Sequence, residues 1–233
     1  MSMIEVAYSD GDVVLTGTLH VPAGAPRAAV VVFPTIMNPT QSVNDKAADL
    51  AAQGYLAMVA DFYGAAPGSF DEARDLAMGI RRTPEAYRRR LRASVRALAM
   101  RQEAAGLPIG AIGFCMGGQA VLELARDGAP LFAVTSFHGL LDTDAPAQAG
   151  GISARILVCH GDADPMVPRK AVLAFWEEMD AAGADWHFHS YAGVKHGFTN
   201  PAPNPNPATG YNASADRQSW AAMYSLFDEV LGA

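Results

Sequence analysis

The chain has 233 residues, half of them apolar and 18% charged, and its 17 cations and 24 anions leave a formal charge of −7. This is a globular composition rather than a disordered one, long enough for one large domain or two small ones with a sizeable core. The acidic balance argues against nucleic acid or an anionic membrane as the main partner, and two cysteines are too few for a disulfide framework. The first twelve residues carry Glu5, Asp10 and Asp12, and no lysine or arginine precedes Arg27, so no secretory leader is expected. The longest apolar runs, such as residues 28–33, fall far short of a membrane span. The expectation is a soluble, cytoplasmic protein.

In chain order, residues 4–8 are apolar-rich, residues 9–12 have turn chemistry and residues 13–21 alternate again, which predicts a hairpin. Pro22, Gly24 and Pro26 end it. Residues 28–33 form a continuous apolar run without alternation, as a strand buried on both faces requires. A helix over 45–53, a strand over 55–60 and a helix over 70–78 follow. Tyr87, Leu91, Val95 and Leu98 share one face of a helix predicted over 84–105. Then come a strand at 109–114, a helix at 117–126 and strands at 132–137 and 155–159. A helix over 168–182 opens with Pro168 in its first turn, and a strand at 185–191 and a helix at 214–231 complete the chain. This alternation predicts an α/β fold with a mostly parallel central sheet and helices on both faces. No linker or repeat interrupts it, so residues 1–233 are expected to form a single domain. Residues 201–207 alternate proline with alanine and asparagine, which predicts an extended surface loop, either a connector or a flap beside a site.

Gly113-Phe114-Cys115-Met116-Gly117 has the form of a nucleophile elbow with cysteine as the central residue. It falls between a predicted strand and a predicted helix. The flanking glycines relieve crowding in a strained turn, and a helix N-terminus favours a thiolate. The competing reading of Cys115 is a small buried core residue. Cys159 ends an apolar strand with no glycines around it and reads as a core thiol.

A thiol nucleophile needs a base, and the base needs an acid to orient it. Of six histidines, His20 lies in the hairpin. His187 and His189 alternate on one face of a strand without an evident third metal ligand. His138 and His160 follow strands and fit a site rim. His196 stands in the glycine-flanked segment 193–198, at the carboxyl end of a strand, where open parallel sheets place their sites. The acid is one of two aspartates in the turn 161–168. Asp164 is preferred over Asp162 because Pro165 holds it away from helical geometry, although either would also serve as a helix cap. The order Cys115, Asp164, His196 is the nucleophile, acid, base order of α/β-hydrolases.

With these motifs the chain resembles the dienelactone hydrolase family, cysteine-nucleophile members of the α/β-hydrolase fold. The matching stretches are Asp61-Phe62-Tyr63-Gly64 with Ala66-Pro67-Gly68, residues 113–118, residues 161–167, and His196-Gly197-Phe198. The resemblance implies a Cys115, His196 and Asp164 triad that cleaves lactones, esters or thioesters through a thioester acyl-enzyme, with no cofactor and no metal. The oxyanion is then expected on the backbone amides of Met116 and Ile36, with Thr35, Tyr63 and Phe198 as substrate contacts. Family members that open dienelactone carry a glutamate where Thr35 stands and an arginine near Ala65. The expected substrate is therefore a neutral or differently charged small molecule.

Three other readings compete. A glutamine amidotransferase would carry glutamate two residues after its histidine, whereas Phe198 occupies that place. A hydrolase fold used for ligand binding or thiol redox sensing would leave Cys115 as an oxidisable thiol. Eight arginines between Arg81 and Arg101 suggest a basic patch, but they read as the solvated face of the helix, with no nucleic acid or membrane partner. The expected assembly is a monomer or a small homo-oligomer.

Overall fold

The computed structural model describes residues 2–202 and 204–232. Pro203, inside the proline-alternating segment, lies outside the described residues. The chain divides into two compact units, Met1–Ile112 and Gly113–Ala233.

The first unit begins with the expected hairpin, β1 (Ser2–Asp10) and β2 (Val13–Val21), closed at Gly11 with φ 60°. It continues through β3 (Ala28–Phe33), α1 (Gln41–Ala52), β4 (Tyr55–Val59), α2 (Phe70–Ile80) and α3 (Pro84–Ala99). The strand order is β1-β2-β4-β3; β3 and β4 are parallel and the other two pairings antiparallel. Every residue of β3 and β4 is buried, which explains the unbroken apolar runs in both.

Helix α3 is shorter than its periodicity predicts. Its apolar stripe stops at Leu98, Met100 is 86% exposed, and Arg101 is extended with ψ 138°. A single 3₁₀ turn, Gln102–Ala104, occupies the rest of the expected helix. At the other end Thr83 caps the helix from its side chain, and Pro84 takes the first turn. The arginine run on α3 is partly consumed at home. Asp10 binds Arg89 at 2.7 Å and Arg90 at 2.8 Å, and Arg90 also donates to the Phe62 carbonyl at 2.6 Å. Burial alone would raise the Asp10 carboxyl; the two guanidiniums outweigh it and hold the group below its ordinary range.

Strand β5 (Ile109–Phe114) begins in the first unit and ends in the second. The second unit adds α4 (Met116–Arg126), β6 (Ala133–Phe137), β7 (Arg155–Gly161), α5 (Arg169–Ala182), β8 (Trp186–Tyr191) and α6 (Ala213–Leu231). Strands β6, β7 and β8 pair in parallel. β6 is wholly buried, and β7 is buried beyond its first residue and runs to Gly161, two residues past the expected end. Pro168 is not the first helical residue. It is extended, with ψ 155°, and α5 starts at Arg169. Proline's locked φ suits either position, so spacing alone misjudged the start by one residue.

Arg126 supplies an internal clasp in this unit. Its side chain is fully buried and bonds Glu123 at 3.0 Å, Glu178 at 2.7 Å and the Leu141 carbonyl at 2.8 Å. Glu178 in turn accepts from the Ala147 amide at 3.0 Å. One guanidinium thus fastens the long connection between β6 and β7 to α4 and α5.

Candidate active site

The turn between β5 and α4 places Cys115 at φ 56° and ψ −114°, a conformation that costs a non-glycine residue on the order of 1–3 kcal/mol. Its neighbours explain how it is held. A Cβ on Gly113 would collide with the Gly117 carbonyl, and one on Gly118 would stand 2.7 Å from the Gly139 Cα. The glycines therefore let the backbones of β5, α4 and the segment after β6 approach more closely than any side chain permits. Cys115 is half-buried and is the cap residue of α4, so its sulfur sits at the positive end of that helix.

His196 arises from the loop after β8. Its amide donates to the Ala208 carbonyl at 3.2 Å, and its carbonyl accepts from the Gly210 amide at 3.0 Å. These bonds pin the loop to the far side of the proline-rich segment. The ring is buried, and Nδ1 lies 2.6 Å from Oδ2 of Asp164, itself buried. The other carboxylate oxygen, Oδ1, accepts from the Met166 amide at 2.9 Å, which fixes the plane of the carboxylate. Asp162 points elsewhere: it forms a two-pronged pair with Arg169 at 3.0 and 2.7 Å.

Burial disfavours a charged His196, but hydrogen bonding to Asp164 and Cys115 more than reverses this and pushes the imidazolium up to about 10. With Nδ1 engaged by Asp164, Nε2 is the ring atom available to Cys115. Cys159 behaves in the opposite way. It is fully buried in β7, and burial pushes its thiol up to about 12. His160, also buried, is held below the ordinary histidine range, chiefly by burial.

His138, which the sequence offers as a candidate for the site rim, contacts the turn that carries Cys115. It is buried at φ 42°, its Nδ1 accepts from the Cys115 amide at 3.1 Å, and its Nε2 lies 3.0 Å from the Thr199 hydroxyl. Phe198 is fully buried and packs edge-on against His138 and Tyr191. Exposed His187 and His189 on β8 face a recess that also holds Glu229, which bonds Arg155 at 3.0 Å. Among the described residues no group of three His, Cys, Asp or Glu is placed to hold a metal ion.

In the first unit, Thr35, Ile36 and Tyr63 belong to two linked loops. The Thr35 hydroxyl accepts from the Met37 amide at 3.3 Å, and Tyr63 donates from its hydroxyl to the Ile36 carbonyl at 3.0 Å. The linker between these loops is Asp61, which the sequence offers only as part of a motif. Its carboxylate accepts from Asn38 Nδ2 at 2.7 Å and from the Thr16, Tyr63 and Gly64 amides at 2.9 Å each. Asn38, at φ 63°, also donates to the Ala65 carbonyl and accepts from the Phe62 amide. A buried, oriented Asx pair of this kind has no periodicity to betray it.

A left-handed turn of this kind between a buried strand and a helix is a feature of the α/β-hydrolase fold, and this chain has that fold. The likeness to known proteins narrows the class. Residues 15–231 match the dienelactone hydrolase family, and the chain belongs to it. A dienelactone hydrolase-like promiscuous phosphotriesterase from metagenomic libraries is 35% identical, with a TM-score of 0.92 over 98% of each chain. A protein of Bradyrhizobium named as a probable 2-oxo-3-(5-oxofuran-2-ylidene)propanoate lactonase is 27% identical over 183 residues, 73% of either chain. An uncharacterised protein of Caenorhabditis elegans is 40% identical over 136 residues, 52% of this chain and 80% of that one. The chain is accordingly an ester or lactone hydrolase acting on a small molecule. Among the described residues, no helix is long and apolar enough to cross a membrane.

Proposed function

We propose that the enzyme works through a Cys115, His196 and Asp164 triad and a thioester acyl-enzyme. The observation that carries this reading is the 2.6 Å bond between His196 and Asp164, with the opposite ring nitrogen left for a half-buried thiol. Asp164 holds the imidazole tautomer and supports its charge. The Cys115 sulfur attacks the acyl carbon, forming the C–S bond and a tetrahedral oxyanion. The Met116 amide, at the positive end of α4, favours that charge. Collapse breaks the C–O bond, and the leaving oxygen takes the proton from His196 Nε2. Water then adds to the thioester, giving its proton to His196. The carboxylic acid departs, and the thiolate–imidazolium pair is restored.

The charge on His196 follows this cycle. In the resting enzyme Cys115 and Asp164 both favour imidazolium. Acylation removes the thiolate, so the imidazole loses one of its two supports just when it must act as a base. Below about pH 10 the resting ring keeps the proton that an alkoxide leaving group needs; above it, that proton is lost. Hydrolysis of an alkyl ester is therefore expected to hold through neutral pH and fall near pH 10. Acylation by a nitrophenyl ester, whose phenolate leaves unprotonated, should hold beyond it. Stopped-flow pH profiles for the two substrates check this; a common fall near pH 6–7 contradicts it.

In the first unit the proposal keeps Ile36 as a backbone donor and Thr35 and Tyr63 as substrate contacts. Phe198 we assign to packing, because it is fully buried. Neutral Thr35 and Ala65 favour uncharged esters, lactones or thioesters over dicarboxylates. A neutral phosphotriester is a second substrate class, favoured by the 35% identical phosphotriesterase. There the same thiolate would form a P–S bond as the aryloxide leaves. The reading takes residues 1–233 as one hydrolase domain, supported by the continuous family match over 15–231. It also takes the protein to work in a reducing cytoplasm, which keeps Cys115 from being oxidised. Acid quenching during turnover of 4-nitrophenyl acetate should yield an acetyl group on the Cys115 peptide, labile to hydroxylamine and visible by mass spectrometry. Turnover with no acyl mass on that peptide, at any quench time, overturns the reading.

A further inference from the structure

We propose that His138 is a positioning residue that joins the loop bearing His196 to the turn bearing Cys115. The inference rests on the triad reading above and adds to it a second histidine that touches no substrate. The Cys115 amide is a forked donor, reaching the Phe137 carbonyl and His138 Nδ1 at 3.1 Å each. An N–H can only donate, so Nδ1 of His138 is the bare nitrogen, and in the neutral ring Nε2 carries the hydrogen. That Nε2–H then donates to Thr199 Oγ1 at 3.0 Å.

Thr199 follows His196 by three residues and lies in the turn that begins directly after it, closed where the Asn200 amide donates to the Gly197 carbonyl at 3.0 Å. The relay therefore runs from Cys115 through the His138 ring to Thr199, and through that turn back to His196. The His138 ring also meets His196 edge-on at a centroid distance of 5.2 Å. Two strained residues, Cys115 at φ 56° and His138 at φ 42°, are thus held by one another's hydrogen bond. Simple packing would need neither the oriented tautomer nor the hydroxyl at its far end.

Three variants test this. His138→Phe keeps a buried aromatic ring and removes both bonds. Thr199→Val keeps the shape of the side chain and removes only the distal one. His138→Asn restores an acceptor for the Cys115 amide on a residue that tolerates positive φ. The readouts are kcat and KM for 4-nitrophenyl acetate, and the pH profile of Cys115 alkylation by iodoacetamide, which reports the thiol's pairing with His196. His138→Phe is expected to lower kcat by roughly 10–100-fold, because small misplacements of reacting groups carry costs of that size. KM should stay within about twofold, since the ring binds nothing in the ground state, while the alkylation profile shifts. Thr199→Val should move both readouts the same way by less, and His138→Asn should recover part of the loss. The double variant His138→Phe/Thr199→Val should be no worse than His138→Phe alone, because both cut one relay.

Folded variants with unaltered kcat and alkylation profile, or multiplicative losses in the double variant, overturn the proposal. If His138→Phe does not fold, Thr199→Val and His138→Asn decide by the same criteria. A Cys115→Ala enzyme that keeps its activity would instead defeat the triad reading, so the two failures are distinguishable.

Discussion

Replacing Cys115 with alanine is expected to lower kcat for 4-nitrophenyl acetate by roughly 10⁴–10⁶-fold, the range seen when a covalent nucleophile is deleted. The fold should survive. Cys115 is half-buried, and alanine adds no atom to a turn already cleared by Gly113 and Gly118. The more informative variant is Cys115→Gly. At φ 56° and ψ −114°, glycine is relieved of the strain that any side chain suffers there. The glycine enzyme should be as inactive as the alanine enzyme, yet unfold at a higher temperature. Relief of the turn is worth about 1 kcal/mol or more, of the order of other stabilising single substitutions. Calorimetry alongside the activity assay checks both halves. A glycine variant that is less stable than the alanine variant would mean that the turn is not strained as its dihedral angles imply.

Exchanging Asp164 for asparagine is expected to lower kcat by roughly 10³–10⁴-fold, because an amide can stabilise the wrong imidazole tautomer and offers no charge to the imidazolium. Asp162→Asn should change kcat by less than about twofold, since that half-buried carboxylate pairs with exposed Arg169 near the surface, where single ion pairs contribute little. The two residues lie in one turn and differ by a single atom in these substitutions, so the contrast tests a role rather than a disruption. The direction of the pH effect is also set. Without Asp164 the His196 ring loses a group that raises it, so the fall in alkyl-ester hydrolysis should move from near pH 10 toward lower pH. A rate for Asp164→Asn within tenfold of the parent enzyme would remove Asp164 from the triad.

The elements most easily read from the sequence were those whose burial leaves no choice. β3 is an unbroken apolar run because both of its faces are covered, and its ends fall where the run begins and stops. Ends were harder wherever capping and chain direction, rather than burial, decide them. α3 stops at Ala99 although helix formers continue, and Pro168 precedes its helix rather than opening it. In the candidate site, the strained turn at Cys115 was legible because glycine spacing records backbone crowding, and the bond from Asp164 to His196 agrees with the preference that Pro165 gave to Asp164 over Asp162. His138 was not legible in this way, since its part depends on a left-handed backbone and on a hydroxyl 61 positions away in sequence. Asn38 and Asp61 escaped for the same reason: a single buried pair, 23 positions apart, leaves no pattern along the chain.

That buried pair has a consequence for redesign. Asp61 and Asn38 grip main-chain groups, the Thr16 amide in β2 and, after β4, the amides of Phe62, Tyr63 and Gly64 and the carbonyl of Ala65, while their own side-chain bond ties in the loop after β3. These bonds are therefore indifferent to the side chains displayed at positions 36 and 65, whereas Thr35 adds a bond of its own from the Met37 amide to its hydroxyl. A side chain exchanged at position 36 or 65 removes none of these bonds, so the residues displayed there can be redesigned without rebuilding the backbone beneath.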